Sequence, residues 1–247
     1  MSNSVIVAIP VYMASLPKME EFSLDYSIAI LRGRNICFLA PKDLDIRYYR
    51  KRFPAIPMVF FESFHFASIS DYNRLLLGVE LYQRFLGEEF LLILQPDAII
   101  LRDELDVWTT LPFDYVGAPW PKGYELFVNL DKFSGDRGKL VKVTVGNGGL
   151  SLRRIRKTLA LFAEFPDALK VFQQSGSSED LFFSVMGSLS RNFIIPNEMT
   201  ASRFSLELQP SYYYAINDGQ LPMGAHSWWK YELDFWRDQI PGVSAIL

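Results

Sequence analysis

A chain of 247 residues, 49% of them hydrophobic, is long enough to bury a sizeable core and fits one α/β domain. Its 28 acidic and 25 basic side chains leave a net charge of -3 with no block of one sign, which excludes a nucleic-acid partner held mainly by charge. Cys37 is the only cysteine, so an intrachain disulfide and a multi-cysteine metal site are excluded and a reducing, cytosolic setting is expected.

The amino terminus, MSNSVIVAIP, has neither the basic region nor the cleavage signature of a secretory signal. No apolar stretch approaches the ~20 residues that span a bilayer, so a soluble chain is expected. Residues 5–9 are a β-branched run stopped by Pro10, the pattern of a buried first strand with a loop at its carboxyl end. Met19, Phe22, Tyr26 and Ile30 recur at helical spacing and predict a helix over residues 17–31, with Gly33 beyond it. Residues 35–40 form a second predicted strand in which Cys37 is a buried, inert thiol. A helix over 44–53 and a short strand over 58–61 follow. Ser70 is the predicted cap of a helix running to about Phe85, with Gly87 as its stop.

Residues 90–94 are apolar at every position, which predicts a strand covered on both faces in the middle of a sheet. The run stops at Gln95-Pro96-Asp97 before residues 98–101 become apolar again. In open α/β sheets ligands bind beyond the carboxyl ends of the strands, so Asp97 stands where such a sheet presents chemistry. A plain turn between two strands accounts for the same three residues equally well. The alternation of strands and helices predicts a parallel sheet with crossover helices, a Rossmann-like half that lacks both G-x-G-x-x-G and G-x-x-x-x-G-K-[ST].

After Leu105 the pattern changes. Residues 114–120 predict a short strand, 121–139 a long polar loop of functional or mobile character, and 140–145 a further strand. Helices are predicted over 155–165 and 179–188, with only strands and loops beyond Ile194. Trp228, Trp229, Tyr231, Phe235 and Trp236 crowd near the carboxyl end, where flat rings suit sugar stacking, an interface or core packing.

Gly146-Asn147-Gly148-Gly149 lets the backbone approach a ligand closely, or else closes a tight turn. Ser177-Ser178-Glu179-Asp180 is an ordinary helix opening, and its functional reading is a general base that deprotonates an acceptor hydroxyl as it attacks. His226 follows a glycine in an aromatic cluster. A lone His is commonly structural, yet a divalent cation that holds substrate phosphates needs only one or two protein ligands, and Asp97 with His226 would be enough. His65, between Phe64 and Phe66, is read as structural.

The ordered set comprises Ile9-Pro10-Val11-Tyr12, Tyr72-Asn73-Arg74, Gln95-Pro96-Asp97-Ala98, Gly117-Ala118-Pro119-Trp120, the run GNGGLSLR from Gly146, Glu179-Asp180 and Gly224-Ala225-His226 through Lys230. With these stretches the chain resembles the GT-A superfamily of nucleotide-sugar glycosyltransferases. More narrowly, it is similar to a bacterial family of glycosyltransferase-like proteins catalogued as a domain of unknown function. The resemblance implies a single-domain α/β fold of GT-A type over residues 1–247. Its Rossmann-like nucleotide-binding half would cover about 1–105, and an acceptor-binding half about 106–247, around a mixed central sheet.

The activity so implied is transfer of a hexosyl group from a nucleotide diphosphate sugar to a hydroxyl of a glycan or protein acceptor, as in bacterial polysaccharide biosynthesis. A UDP-sugar is the expected donor. By the same resemblance Pro10, Val11 and Tyr12 line the base and ribose pocket, and Asn73 and Arg74 face the nucleotide. Asp97 takes the place of the last carboxylate of the D-x-D motif, binding ribose and a divalent metal, Mn²⁺ or Mg²⁺, on the diphosphate. Gln95 replaces the first acid of that motif, and a neutral amide does not supply the missing charge, so metal dependence stays open. Gly148 and Gly149 border the donor or acceptor sugar, His226 reaches the metal or the phosphates, and Lys230 offsets leaving-group charge.

Asp180 is the implied base of an inverting transfer, with Glu179 second, and Trp120, Trp228 and Trp229 are candidates for stacking on an acceptor. The implied setting is cytoplasmic, with peripheral contact at the inner face of the membrane. Three alternatives stand beside this one. A nucleotidyltransferase would need a basic phosphate loop after the first strand, where residues 12–16 carry no charge. A catalytically silent nucleotide- or carbohydrate-binding module would need neither Asp97 nor Asp180. An interaction protein would use the aromatic carboxyl end.

Overall fold

Strands alternate with helices from the start of the computed structural model, which describes residues 4–128 and 138–246. β1 (Val5–Pro10), α1 (Lys18–Ile30), β2 (Asn35–Pro41), α2 (Arg47–Arg52) and β3 (Met58–Phe61) come in the order their apolar runs predict. The helix expected from Ser70 to Phe85 is two helices, α3 (Ile69–Leu76) and α4 (Val79–Gln83). Its cap is Ser68, whose hydroxyl accepts from Asp71 N at 3.1 Å. Gly78 breaks the helix in extended backbone, φ -86° and ψ 131°.

β4 (Phe90–Leu94) is buried along its whole length. It lies between β1, with which it pairs parallel, and β9 (Leu150–Arg154), with which it pairs antiparallel. With β6 (Tyr115–Val116) at one edge, the main sheet runs β3-β2-β1-β4-β9-β6, a mixed sheet in a single α/β domain. Apolar clusters cover both faces: Val7, Ile9, Leu92 and Leu94 belong to one, and Ala8, Leu91 and Ile93 to the other. This two-sided burial is why β4 is apolar at every position and not every second one. Cys37 lies in the second cluster, where burial pushes its thiol pKa up to about 12.

Residues 98–101 do not continue β4. β5 (Ala98–Ile100) belongs to a separate small sheet of order β10-β11-β5, built with β10 (Ser205–Leu206) and β11 (Gly224–His226). α5 (Leu105–Thr110), which has no clear periodicity in sequence, follows it.

The polar segment 121–139 corrects the sequence reading where it is described. β7 (Pro119–Val128) and β8 (Lys139–Val145) form a two-stranded antiparallel ribbon, and residues 129–137 lie outside the described residues. The strand pattern was hidden because Tyr124, Phe127 and Leu140 are exposed, so the apolar positions do not mark a single buried face.

α6 (Ile155–Glu164), α7 (Pro166–Ser175) and α8 (Glu179–Leu189) follow β9, with α7 opened by a proline at its first turn. The expectation of strands and loops beyond Ile194 is also corrected. α9 (Glu198–Phe204), α10 (Pro210–Ile216) and α11 (Leu233–Gln239) are helices of seven residues each, too short to show a periodic stripe. α10 and α11 contribute Tyr213 and Trp236 to a third apolar cluster that includes Trp228 and lies around the small sheet, while α9 packs Ala201 and Phe204 into the first cluster. No helix of the described residues is long and apolar enough to cross a membrane.

Candidate functional site

The main sheet reverses its direction of growth at β1. β2 and β3 are added on one side of it and β4 on the other, with all four strands parallel. The carboxyl ends of β1 and β4 therefore open onto a crevice not covered by a crossover connection, the place where open α/β sheets bind ligands. A cleft of about 610 Å³ lies there, lined by Pro10 at the end of β1 and Tyr12 beyond it, by Gln95, Pro96 and Asp97 after β4, and by Tyr72 and Asn73 of α3. His226, Ser227, Lys230 and Glu20 complete its charged wall.

Strand register brings residues 129 positions apart into contact. In the β5–β11 ladder His226 stands opposite Ala98, and the Ser227 amide donates to the Asp97 carbonyl at 2.9 Å. The imidazole Nε2 then lies 3.1 Å from Asp97 Oδ1 and 3.2 Å from Gln95 Oε1. Ser227, held at φ 47°, starts a turn closed by Lys230 N to Ser227 O at 2.8 Å. That turn returns Lys230 Nζ to within 2.8 Å of Asp97 Oδ2, which also accepts from the Ser227 hydroxyl at 2.9 Å.

Burial works to raise the pKa of Asp97, but the bonds from His226 and Lys230 outweigh it and hold the carboxyl well below its usual range. Burial works against a charged His226 as well. Its bonds to Asp97 and to Glu207, whose Oε2 lies 2.8 Å from Nδ1, prevail and raise the imidazole to about 10. The same contacts thus favour an ionised Asp97 and a protonated His226, and against the effect of burial the pKa of Lys230 is also raised by its bond to Asp97. Glu20, across the cleft, has its pKa raised by burial and by Asp97.

The glycine turn connects this wall to the opening of α8. Gln95 N donates to Gly149 O at 2.9 Å, and a Cβ at Gly149 would lie 2.1 Å from His226 Nε2. A Cβ at Gly148 would lie 2.2 Å from Glu179 Oε1, and Gly148 N donates to Asp180 Oδ2 at 3.2 Å. The two glycines therefore make room for the protein's own functional side chains. Because they are consecutive, at most about 12 Å separates Asp180 Oδ2 from His226 Nε2.

Several residues singled out in the sequence take other places. Glu179 is buried and pairs with the fully buried Arg153 at 2.7 Å; Arg153 also donates to the Tyr82 hydroxyl at 3.0 Å. Burial and the neighbouring Asp180 raise the Glu179 pKa, against the pull of Arg153. Asp180 is half-buried behind the glycine turn and does not line the cleft. The Ser178 hydroxyl donates to the Asp180 carboxylate and does not cap α8.

Arg74 points to α7, donating to Gln173 O at 2.8 Å, and Val11 is fully buried in the core. Trp228 is fully buried and donates to the Ser23 hydroxyl at 2.9 Å, so it is a core residue without a face for stacking. His65 lies in a 3-10 turn, its ring tilted by 39° against that of Phe64 with centroids 4.1 Å apart. Glu207, Glu20, Tyr72 and Ser227 had no role in the sequence reading; Glu207 sits at a polar position of the alternating stretch from Phe204 to Gln209, which does not set it apart.

These features define an α/β protein with a mixed central sheet and a charged cleft at the ends of its parallel strands. Residues 55–226 match a family described as protein of unknown function, DUF5672, and the chain belongs to it. Among curated proteins none matches this chain. The matched region contains Asn73, Gln95, Asp97, the glycine turn, Asp180, Glu207 and His226, while Pro10, Tyr12 and Lys230 lie outside it.

Proposed function

We propose that the protein is a glycosyltransferase of GT-A type that moves a sugar from a nucleotide diphosphate sugar to an acceptor hydroxyl. The observation that carries this reading is the meeting of Asp97, His226 and Lys230 in one cleft at the carboxyl ends of β1 and β4. A nucleotide entering there meets Pro10, Tyr12, Tyr72 and Asn73, which suit a base and ribose, before its diphosphate reaches the charged wall. Lys230 is a point cation for the departing diphosphate, since stabilising developing charge is the main demand of such a transfer. Asp180 is the base assigned to the acceptor hydroxyl. Its carboxylate takes the hydroxyl proton while the acceptor oxygen bonds to the anomeric carbon and the bond from that carbon to the diphosphate oxygen breaks.

The wall also fits a divalent metal. Cis ligands about 2.1 Å from an octahedral ion sit roughly 3.0 Å from each other. His226 Nε2 has Asp97 Oδ1 at 3.1 Å and Gln95 Oε1 at 3.2 Å, and Nδ1 is held by Glu207 as metal-bound imidazoles commonly are; a metal would take the place of the Nε2 proton that these carboxylates otherwise favour. Among the described residues no group of three or more His, Cys, Asp and Glu is placed to hold a metal, so Gln95 would be the third donor beside Asp97 and His226. A bound Mn²⁺ or Mg²⁺ would screen the diphosphate and make it a better leaving group.

The test is a thermal-shift panel of nucleoside diphosphates with and without Mn²⁺, on the wild type and on Asp97→Ala. A ligand at 100 times its Kd stabilises the native state by about 2.7 kcal/mol, so a bound nucleotide is visible as a rise in Tm that the variant loses. An equal rise in the variant rejects Asp97, and no rise with any nucleotide rejects the transferase.

A further inference from the structure

A second cleft, of about 570 Å³, adjoins the first and shares Lys230 with it. One wall is the start of β7, where Tyr124 stands edge-on to Trp120 with ring centroids 4.6 Å apart. Gln209, Tyr231 and Glu232 line the cleft as well. Tyr124 is 51% and Tyr231 39% exposed, so two aromatic side chains in reach of solvent line one cleft together with an amide and a carboxylate.

Backbone strain gathers around the same two clefts. Asp218 apart, the non-glycine residues with positive φ among the described residues are Asn147 in the glycine turn, Ser227 in the first cleft, and Gln209 and Glu232 in the second. Left-handed backbone at a residue with a side chain costs about 1 kcal/mol or more and persists where the surroundings over-determine it, as at ligand clamps. The second cleft is therefore held in shape by the same kind of strain as the first.

From this geometry we infer that the second cleft is the acceptor site and that its ligand is a saccharide. Sugars present flat C–H faces to aromatic rings and hydroxyls to amides and carboxylates, and the cleft offers both. This rests on the transferase reading. The glycine turn sets the relation between the two clefts: Gly146 lies under the Trp120 ring, where a Cβ would be 1.9 Å from Cη2, Gly148 touches Asp180, and Gly149 touches His226. A sugar against Tyr124 and Tyr231 is then on one flank of the turn, the donor diphosphate is on the other, and Asp180 is bonded to the residue between them.

The experiment is ligand-observed saturation-transfer NMR of the whole protein with lactose, maltose, cellobiose and chitobiose, and with a set of short peptides as controls. It is run on the wild type, Asp97→Ala, Tyr124→Ala and Tyr231→Ala, with UDP-induced thermal shift recorded in parallel. At least one disaccharide should bind the wild type and Asp97→Ala alike, bind about tenfold more weakly to each tyrosine variant, and leave their UDP shift unchanged. The site is overturned if no disaccharide binds while UDP does, if both tyrosine variants bind as the wild type does, or if peptides bind and sugars do not. Saccharide binding that needs the two tyrosines, in a protein that binds no nucleoside diphosphate, upholds the saccharide site and removes the transferase reading.

Discussion

Gly149 and His226 meet so closely that a methyl group at position 149 would lie 2.1 Å from the imidazole Nε2. The glycine there serves the protein's own side chain. It leaves the imidazole free to face Asp97 and Gln95, the two oxygens that close the charged wall.

Gly149→Ala is therefore expected to damage the site first and the fold second. Position 149 lacks the positive φ that would reserve it for glycine, so the change acts through this contact. Overpacking of this kind costs about 1–3 kcal/mol, to be read by urea denaturation. Calorimetry should show UDP binding weakened about tenfold or more, the equivalent of about 1.4 kcal/mol. Unaltered affinity would mean that the imidazole position does not matter to the ligand.

Glu179 and Asp180 are neighbours with opposite expected phenotypes. Removing the Glu179 carboxylate in Glu179→Ala strands the fully buried Arg153 guanidinium, and breaking one side of a buried pair costs about 3–5 kcal/mol. Asp180→Asn should denature near the wild-type midpoint and keep UDP binding. Its transfer rate should fall by about 10²–10⁴, the usual contribution of a general base. Stability lost in Asp180→Asn and kept in Glu179→Ala would reverse the two assignments.

Glu207 stands behind His226 at 2.8 Å from Nδ1. Glu207→Gln keeps the shape and removes the charge-assisted bond, so the fold should persist. The Mn²⁺-dependent part of UDP affinity is expected to drop about 10- to 100-fold, the range seen when the partner of a metal-bound imidazole is changed. Titration with UDP in Mn²⁺ and in chelator separates that part from the rest.

Cys37 offers a check on the core. Burial raises its pKa to about 12, so native protein at pH 8 should not react with a disulfide reagent, while unfolded protein should react fully. The sign for stability follows. A thiol whose folded pKa lies above the unfolded value of about 8.5 contributes stability that is present below that value. The contribution is lost as pH rises toward 12. A native thiol that reacts at pH 8 as fast as in urea would contradict the packing of β2.

Some of this architecture was legible because its cause is local. The unbroken apolar run at residues 90–94 follows from a strand covered on both faces, and Pro10 and Pro41 do end their strands as proline should. Where local signals were weak, packing decided. α9, α10 and α11 are too short to carry a stripe of their own; α10 and α11 gain their burial from the cluster of Trp228 and Trp236, and α9 from the main core through Ala201 and Phe204. The break at Gly78 was hidden by apolar residues that continue on both sides of it.

The site divides in the same way. By itself the sequence determined that Asp97 follows a buried strand, that glycines surround Asn147, and that an acidic pair opens α8, because each is a relation between adjacent residues. Only the tertiary structure decided which side of each motif matters. It turned Glu179 inward to Arg153, sent Arg74 to α7, buried Trp228, and set Glu207 against His226. Those outcomes depend on the register of β5 against β11 and on what packs behind each side chain. Register is an interaction between segments more than a hundred residues apart, and the spacing within either segment does not encode it.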